Sequence, residues 1–184
     1  MTSVFIGGSR KVSRLNKEIR SRIDNILQQE LTILIGDANG ADKSVQKYLA
    51  EKKYPNVFVY CMEGKARNNI GGWSIRNVEA INHKKDFQYY STKDFKMAED
   101  ASYGFMIWDA SSKGTLQNII NLLKENKRVL VYFSRKKEFY TLLNVDDLSE
   151  LLSKCDSVNI KNLQKQFKGI ELSGINQLQF HFSS

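Results

Sequence analysis

The sequence predicts an α/β fold in which helices cover both faces of a parallel central sheet. Short apolar runs bounded by glycine, aspartate or serine alternate with longer stretches of helical period, as in repeated strand–helix–strand units. The runs are rich in valine, isoleucine and aromatic residues at both odd and even positions, which is typical of strands buried on both faces. We therefore expect a Rossmann-like sheet of about five strands, namely Val4–Ile6, Thr32–Ile35, Val57–Met62, Gly104–Trp108 and Val129–Phe133.

Amphipathic stretches between these runs predict the connecting helices. Apolar residues recur at three- and four-residue spacing over Leu15–Leu27, Ala41–Leu49 and Leu116–Leu123. Pro55, the only proline of the chain, follows the second stretch, and Ser112 stands before the third as a helix cap does. The pattern therefore predicts crossover helices between parallel strands.

The remaining segments are less regular. A short helix is expected around Trp73, Val78 and Ile81, and a capped helix from Ser91 to Ala101. Beyond the last run, helices are predicted at Asp146–Cys155 and Ile160–Phe167, followed by an alternating apolar tail at positions 178, 180 and 182. We expect residues 1–143 to form the Rossmann-like domain and residues 144–184 to form a C-terminal appendage packed on it.

The composition bounds the class of protein. Of 184 residues, 41% are apolar and 26% are charged, which is too hydrophobic for a disordered chain. Cys61 and Cys155 stand outside any Cys-x-x-Cys or Cys/His spacing, so we expect neither a disulfide framework nor a metal site. The chain starts without a signal-peptide pattern and has no apolar run near the roughly 20 residues of a membrane helix, which predicts a cytoplasmic protein. A net charge of +8 favours an anionic partner.

The loops that follow the predicted strands carry the candidate site, because ligands of open parallel sheets bind beyond the carboxyl ends of the strands. The first loop contains Gly7, Gly8, Ser9 and Arg10. Two residues without Cβ allow backbone N–H groups to approach a phosphate, and the arginine adds charge. A tight turn that needs glycine only for its backbone angles explains the same residues.

Two further loops resemble the first in composition. The second carries Gly36, Asp37, Gly40 and Asp42, where an aspartate can accept hydrogen bonds from ribose hydroxyls or cap the following helix. The third runs from Asp109 into a helix start. Its candidate phosphate-binding residues are Ser112, Lys113, Gly114 and Thr115. A parallel sheet places all three loops on one rim, where helix dipoles can converge on one anion.

Four segments resemble the SLOG superfamily, which includes Lonely Guy-type and DprA-type Rossmann-like domains. They are GGSR, IGDANGADKSVQKYL, GGWSIRNVEAI and MAEDASYGFMIWDASSKGTLQNII, and the resemblance covers roughly Ser3 to Phe133. Gly36–Asp42 is similar to the G-x-A-x-G-A-D element of the YspA-like branch. Ser112–Thr115 resembles the phosphate-binding G-x-G-T element, with Ser112 in place of the first glycine.

The resemblance implies further site residues. Arg76 and Asn77 are similar to the branch's R-N element, whose arginine lies near the nucleotide site of related phosphoribohydrolases. Lonely Guy enzymes have a glutamate that assists cleavage of the N-glycosidic bond where this chain has Asn118. Because an amide cannot act as a carboxylate base, Asp109 becomes the candidate catalytic carboxylate, with Arg76 holding phosphate.

Three functions remain open from the sequence. The first is binding of a phosphorylated nucleotide or nucleotide-derived ligand, as a sensor or binding module without cofactor. The second is a nucleotide N-glycosidic hydrolase or transferase, and the third is DprA-like binding of single-stranded DNA, motivated by the positive charge. Trp73 and Trp108 are expected near the rim, either stacking on a base or within the core. The resemblance also implies self-association into dimers or larger assemblies.

Overall fold

A seven-stranded, mostly parallel sheet forms the centre of the protein, and the computed structural model describes residues 1–79 and 87–167. The strands are β1 (Ser3–Gly8), β2 (Thr32–Gly36), β3 (Val57–Met62), β4 (Ser74–Val78), β5 (Tyr103–Trp108), β6 (Val129–Phe133) and β7 (Glu138–Leu142). The helices are α1 (Lys17–Gln28), α2 (Ala41–Glu51), α3 (Phe87–Asp100), α4 (Lys113–Lys124), α5 (Val145–Ser153) and α6 (Ser157–Phe167). None of the described helices is both long enough and apolar enough to cross a membrane.

The strand order β4-β3-β2-β1-β5-β6-β7 creates a reversal next to β1. The chain moves outward from β1 through β2 and β3 to β4, and then returns through α3 to β5 on the other side of β1. Among the strands that the structure describes, only β6 and β7 pair in antiparallel fashion. Ligands of Rossmann-like folds bind where the strand order reverses, which here is between the carboxyl ends of β1 and β5.

Alternate side chains of the central strands enter two separate cores. Val4 and Ile6 of β1 pack with α1 and α2 on one face, whereas Phe5 packs with α3 and α4 on the other. Leu148 of α5 and Leu163 of α6 belong to the same core as Phe5. The predicted appendage is therefore continuous with the Rossmann-like domain as far as α6, while its predicted tail at positions 178 to 182 lies outside the described residues.

The sheet has seven strands where about five were predicted. The short helix predicted around Trp73 and Val78 was wrong: Ser74–Val78 forms β4, which pairs with β3 in parallel register. Ile81 lies outside the described residues. The second additional strand, β7, returns along β6 after a turn in which Lys137 has a φ of 56°. Both are exposed edge strands, so neither carries the apolar run by which the inner strands were predicted.

Candidate functional site

A cavity of about 910 Å³ lies at the carboxyl ends of β1 and β5. Its walls include the loops after these two strands, the first turn of α2, the inner face of α3 and the first turns of α4. One face of α6, carrying Asn159, Asn162 and Lys165, closes the remaining side. The cavity therefore occupies the place where the strand order predicts a ligand.

Ser9 and Asp109 connect the loops after β1 and β5. The Ser9 hydroxyl donates to Asp109 Oδ1 at 2.9 Å and accepts from the Asp109 backbone N–H at 3.1 Å. Ser9 is fully buried, and its backbone N–H also donates to Ile107 O at 2.9 Å. The two loops are thereby fixed relative to each other before any ligand arrives.

The Asp109 carboxylate organises its own loop. Oδ1 accepts from the backbone N–H groups of Ser111 at 3.0 Å and Ser112 at 2.8 Å, and Oδ2 accepts from the Ser111 hydroxyl at 2.9 Å. Burial alone would raise the pKa of Asp109, but these hydrogen bonds hold it below its ordinary value. A carboxylate with a lowered pKa and both oxygens occupied is a poor general acid or base near neutral pH, although Asp109 does line the cavity.

The first turn of α4 presents backbone N–H groups and a lysine to the cavity. Ser112 is the N-cap, and its hydroxyl oxygen accepts from Thr115 N at 3.3 Å and from the Thr115 hydroxyl at 3.0 Å. Burial lowers the pKa of the nearby Lys113 ammonium. A Cβ placed on Gly114 would meet no atom within 4 Å, so its backbone is open to a ligand. This is the arrangement of a helix-terminal anion site.

Gly8 and Gly40 let the loops after β1 and β2 pack tightly. A Cβ on Gly8 would lie 2.5 Å from Ile107 O and 2.8 Å from Ala41 Cβ. Gly40 has a φ of 83°, and a Cβ there would overlap the backbone of Arg10. These glycines are therefore required by protein packing, although Gly8 and Arg10 also line the cavity.

A cluster of charged side chains, of which Asp37 and Lys93 are buried, forms the cavity wall beside α2 and α3. Arg67, from the loop after β3, holds Asp37 through two contacts, Nε to Oδ2 at 3.0 Å and Nη2 to Oδ1 at 2.7 Å. Lys93 of α3 is 3% exposed and forms an ion pair with Asp94 at 2.6 Å, with Asp37 Oδ1 3.9 Å away. Arg67 also stacks over the Tyr90 ring at 4.5 Å.

Asp42 differs from the other carboxylates of this wall. It is 8% exposed, and its Oδ2 accepts one long hydrogen bond, from Ala38 N at 3.3 Å. Burial raises the pKa of Asp42 to about 7, and the attraction of Lys93 opposes this only in part. Gly36 makes room for this carboxyl, since a Cβ there would lie 2.5 Å from Asp42 Oδ2. Asp42 is thus the cavity residue suited to exchange a proton near neutral pH.

Arg135 connects the cavity rim to α6. Its Nε donates to the backbone oxygen of Asp109 at 3.1 Å, and its Nη1 pairs with Asp156 Oδ2 at 2.7 Å. Asp156 immediately precedes α6 and accepts from Asn159 N at 2.8 Å, as an N-cap residue does. The position of the α6 wall is therefore tied to the loop after β5.

The cavity has a surplus of positive charge among the described residues. Three carboxylates line it, those of Asp42, Asp94 and Asp109. Seven cationic side chains line it as well, namely Arg10, Lys11, Arg67, Lys93, Lys113, Arg135 and Lys165. In residues 1–79 and 87–167, no three His, Cys, Asp or Glu side chains are grouped so as to hold a metal ion. The electrostatics therefore favour an anion.

Half of the sequence-predicted site residues line the cavity. These are Gly8, Arg10, Asp42, Asp109, Ser112, Lys113, Gly114 and Thr115. Four more of the predicted residues contact residues that line the cavity. Ser9 forms a hydrogen bond with Asp109, and Asp37 forms one with Arg67. Gly36 lies next to Asp42, and Gly40 lies next to Arg10. Gly7 lies within β1, where a Cβ would lie 3.1 Å from the Phe5 ring.

The residues predicted between β3 and α3 lie elsewhere. Arg76 is on the exposed edge strand β4, with its guanidinium 4.4 Å from the centre of the Phe58 ring, and it does not line the cavity. Asn77 Oδ1 accepts a hydrogen bond from Gly64 N. Trp73 donates from Nε1 to Tyr54 O at 2.8 Å, just before β3 begins, which is the opposite end of the strand from the cavity. These side chains are occupied in packing the sheet edge.

Several cavity residues escaped the sequence analysis because tertiary packing brings them there. Arg67, Tyr90, Asn159 and Asn162 belong to no motif. Lys93 carried a usable signal: it lies four residues before Met97 on the buried face of α3, where a lysine interrupts the apolar pattern. Trp108, by contrast, is fully buried against Phe133 and belongs to the core.

The fold and the site define a Rossmann-like α/β protein with a cationic cavity at its topological switch point. Comparisons of the chain with protein-family models, with curated proteins and with solved structures found no match. The function must therefore be argued from the residues of the cavity.

Proposed function

We propose that this chain binds a phosphorylated nucleotide or nucleotide-derived ligand in the cavity, as a sensor or binding module. The observation that carries the proposal is the first turn of α4, which directs helix N–H groups and Lys113 into a cavity with seven cationic and three acidic side chains. The phosphate lies at the first turn of α4, where the backbone of Gly114 is open. The resemblance to SLOG domains forms part of this proposal.

The size and the lining of the cavity favour a ligand larger than a phosphate ion. A volume of about 910 Å³ is large for an inorganic anion and falls within the range of small-molecule sites. Phe5 and Met97 give it an apolar floor, whereas Asp42 and Asp94 offer carboxylate acceptors for hydroxyl groups. A nucleotide has a charged phosphate, ribose hydroxyl groups and an apolar base, which match the cationic, carboxylate and apolar parts of the cavity.

A second candidate function, nucleotide N-glycosidic hydrolysis or transfer, is favoured by one observation. Asp42 has a pKa raised to about 7 and lines the cavity, so it can carry a proton to a leaving base at neutral pH. Asp109, which the sequence suggested for this role, is held ionised by its hydrogen bonds. In this alternative Asp42, rather than Asp109, acts as the acid.

Calorimetric titration of the purified protein with nucleoside mono-, di- and triphosphates, with the parent nucleosides and with inorganic phosphate tests the proposal. We expect nucleotides to bind and nucleosides to bind at least tenfold more weakly, since an ionic phosphate contact contributes about 1.4 kcal/mol or more. Chromatography of the same samples reports released base, and release that disappears in Asp42→Asn favours the enzyme.

Lys113→Ala is the site variant, and Lys47→Ala, an exposed lysine on α2 outside the cavity, is the matched control. We expect about a tenfold loss of nucleotide affinity in the first and an unchanged affinity in the second. Absence of binding to every nucleotide of the panel, or an equal loss in both variants, would contradict the proposal.

A further inference from the structure

Asn118 contains a side-chain oxygen that receives no hydrogen bond from residues 1–79 or 87–167. The side chain is 7% exposed and lines the cavity from the second turn of α4. Its Oδ1 is buried and has no hydrogen-bond partner among the described residues. Buried polar atoms of native proteins are nearly always paired, so this acceptor calls for a donor that the described residues do not supply.

Apolar and carboxamide side chains line the cavity as well as the cationic ones. Phe5 of β1 and Met97 of α3 are each 1% exposed and supply apolar lining. Asn159 of α6, which also lines the cavity, is held by its own Nδ2, which donates to Asp156 Oδ2 at 2.6 Å, and Asn162 follows on the next turn. A space with apolar lining and carboxamides at its edges suits a planar heteroaromatic ring.

The spacing along α4 connects this space to the phosphate position. Asn118 is four residues after Gly114 and three after Thr115, so the three residues share one face of the helix, and all line the cavity. Asn118 is six positions after the N-cap Ser112, which corresponds to about 9 Å along the helix axis. That span is comparable with the length of a nucleoside monophosphate.

An anion is a poor occupant at Asn118, because the orphan group is itself a hydrogen-bond acceptor. We propose that the base of the bound nucleotide lies between α4 and α6 and donates a hydrogen bond from an exocyclic amino group to Asn118 Oδ1. The proposal rests on the proposed function, and it makes Asn118 the residue that selects amino bases, such as adenine and cytosine, over keto bases.

The experiment compares adenosine with inosine 5′-monophosphate, and cytidine with uridine 5′-monophosphate, by calorimetric titration of the full chain. Each pair exchanges an amino group for a keto oxygen at one ring position and adds a proton to the adjacent ring nitrogen. We expect the amino nucleotide to bind at least tenfold more tightly in both pairs, because the keto oxygen would face Asn118 Oδ1 and leave two acceptors unpaired.

Asn118→Leu, which has a similar shape and no acceptor, should reduce this preference to about twofold or less, by weakening binding of the amino nucleotides. The matched control is Asn121→Leu on the same helix: Asn121 is equally buried, accepts from Gln117 at 2.9 Å and does not line the cavity. The Asn121→Leu variant should keep the full preference for amino over keto nucleotides. If Asn118→Leu does not fold, Asn118→Ala takes its place.

Equal affinity for amino and keto nucleotides in the unaltered protein would overturn the inference while leaving nucleotide binding intact. A preference for keto bases would also overturn it, as would an amino preference that survives in Asn118→Leu. Weaker binding of 2′-deoxyadenosine 5′-monophosphate together with full affinity for inosine 5′-monophosphate would overturn it by assigning the donor to the ribose. Failure to bind any nucleotide would refute the proposed function itself.

Discussion

The Ser9 hydroxyl donates a hydrogen bond of 2.9 Å to Asp109 Oδ1, joining two loops that are 100 positions apart in sequence. The same carboxylate accepts from the Ser111 and Ser112 backbone N–H groups. One buried aspartate thus fixes the phosphate-type loop after β5 against the loop after β1. Its hydrogen bonds assign Asp109 a structural role, which differs from the proton transfer that the sequence suggested.

Asp109→Ala is expected to lower the free energy of unfolding by about 3 kcal/mol, because it removes charge-assisted hydrogen bonds and leaves buried donors unpaired. Urea denaturation followed by circular dichroism measures this change. Asp146→Ala, in the exposed first turn of α5, should change stability by less than about 1 kcal/mol. A fully stable Asp109→Ala protein would show that the carboxylate does not organise the loop.

Gly8→Ala and Gly114→Ala are expected to have opposite consequences. The added methyl group at position 8 collides with Ile107 O and Ala41 Cβ, so Gly8→Ala should lower the melting temperature by several degrees. At position 114 the methyl group meets no protein atom. Because alanine favours helix, Gly114→Ala should melt at the same temperature or higher, yet bind nucleotide more weakly.

Differential scanning fluorimetry and calorimetric titration of both variants make this comparison. Ligand binding that is unaffected by Gly114→Ala would place the phosphate away from the first turn of α4. Stability that is unaffected by Gly8→Ala would mean that β1 and β5 can separate without cost.

The inner strands were predictable because they are buried on both faces, and burial selects continuous apolar runs such as Val57–Met62. The edge strands were not, since β4 exposes four of its five residues and its sequence carries no such run. The same physics explains the incorrect helix around Trp73 and Val78: at an edge, pairing with β3 decides the conformation, and local pattern does not.

The predicted site residues that line the cavity are those whose position follows from topology alone. Loops that follow parallel strands meet at one rim, and Gly8 at the end of β1, Asp42 at the start of α2 and Gly114 at the start of α4 were expected there for that reason. Residues that reach the cavity only because separate helices pack together, such as Lys93 and Asn159, were not predicted from the sequence. Arg76 was expected at the site from resemblance, but its strand lies at the sheet edge.

The raised pKa of Asp42 predicts a pH-dependent stability. The folded chain keeps this carboxyl protonated up to a pH of about 7, whereas an unfolded aspartate loses its proton near 3.8. The folded state therefore binds more protons between these values, and this contribution to the free energy of unfolding is lost as the pH rises from about 4 to 7. Lys93 on α3 opposes the shift, and Asp94 and Asp37 reinforce it.

Asp42→Asn should lack this contribution to the pH dependence. We expect the variant to gain stability relative to the unaltered chain as the pH rises from 5 to 7, and the difference to remain constant from pH 7.5 to 8.5. Urea titrations at these pH values measure it, with Asp146→Asn as the exposed control. A difference that does not change with pH would show that Asp42 is ionised throughout.

Arg135→Ala is expected to loosen the α6 wall without unfolding the domain. The pair of Arg135 with Asp156 is about half exposed, so its loss should cost less than about 1 kcal/mol of global stability. The contact nevertheless connects Asp109 O to the residue that caps α6. Hydrogen exchange followed by mass spectrometry should show faster exchange over Ser157–Leu163, while β1 and β5 keep their protection.

Arg128→Ala, an exposed arginine before β6, is the matched control and should leave α6 exchange unchanged. Because α6 carries Asn159 and Asn162, the Arg135→Ala protein should also bind nucleotide more weakly and protect α6 less on binding. Since Asp156 caps α6 with or without its partner, helix formation itself should survive. Unchanged α6 exchange in Arg135→Ala would show that burial of Ile160 and Leu163, rather than the ion pair, holds this wall in place.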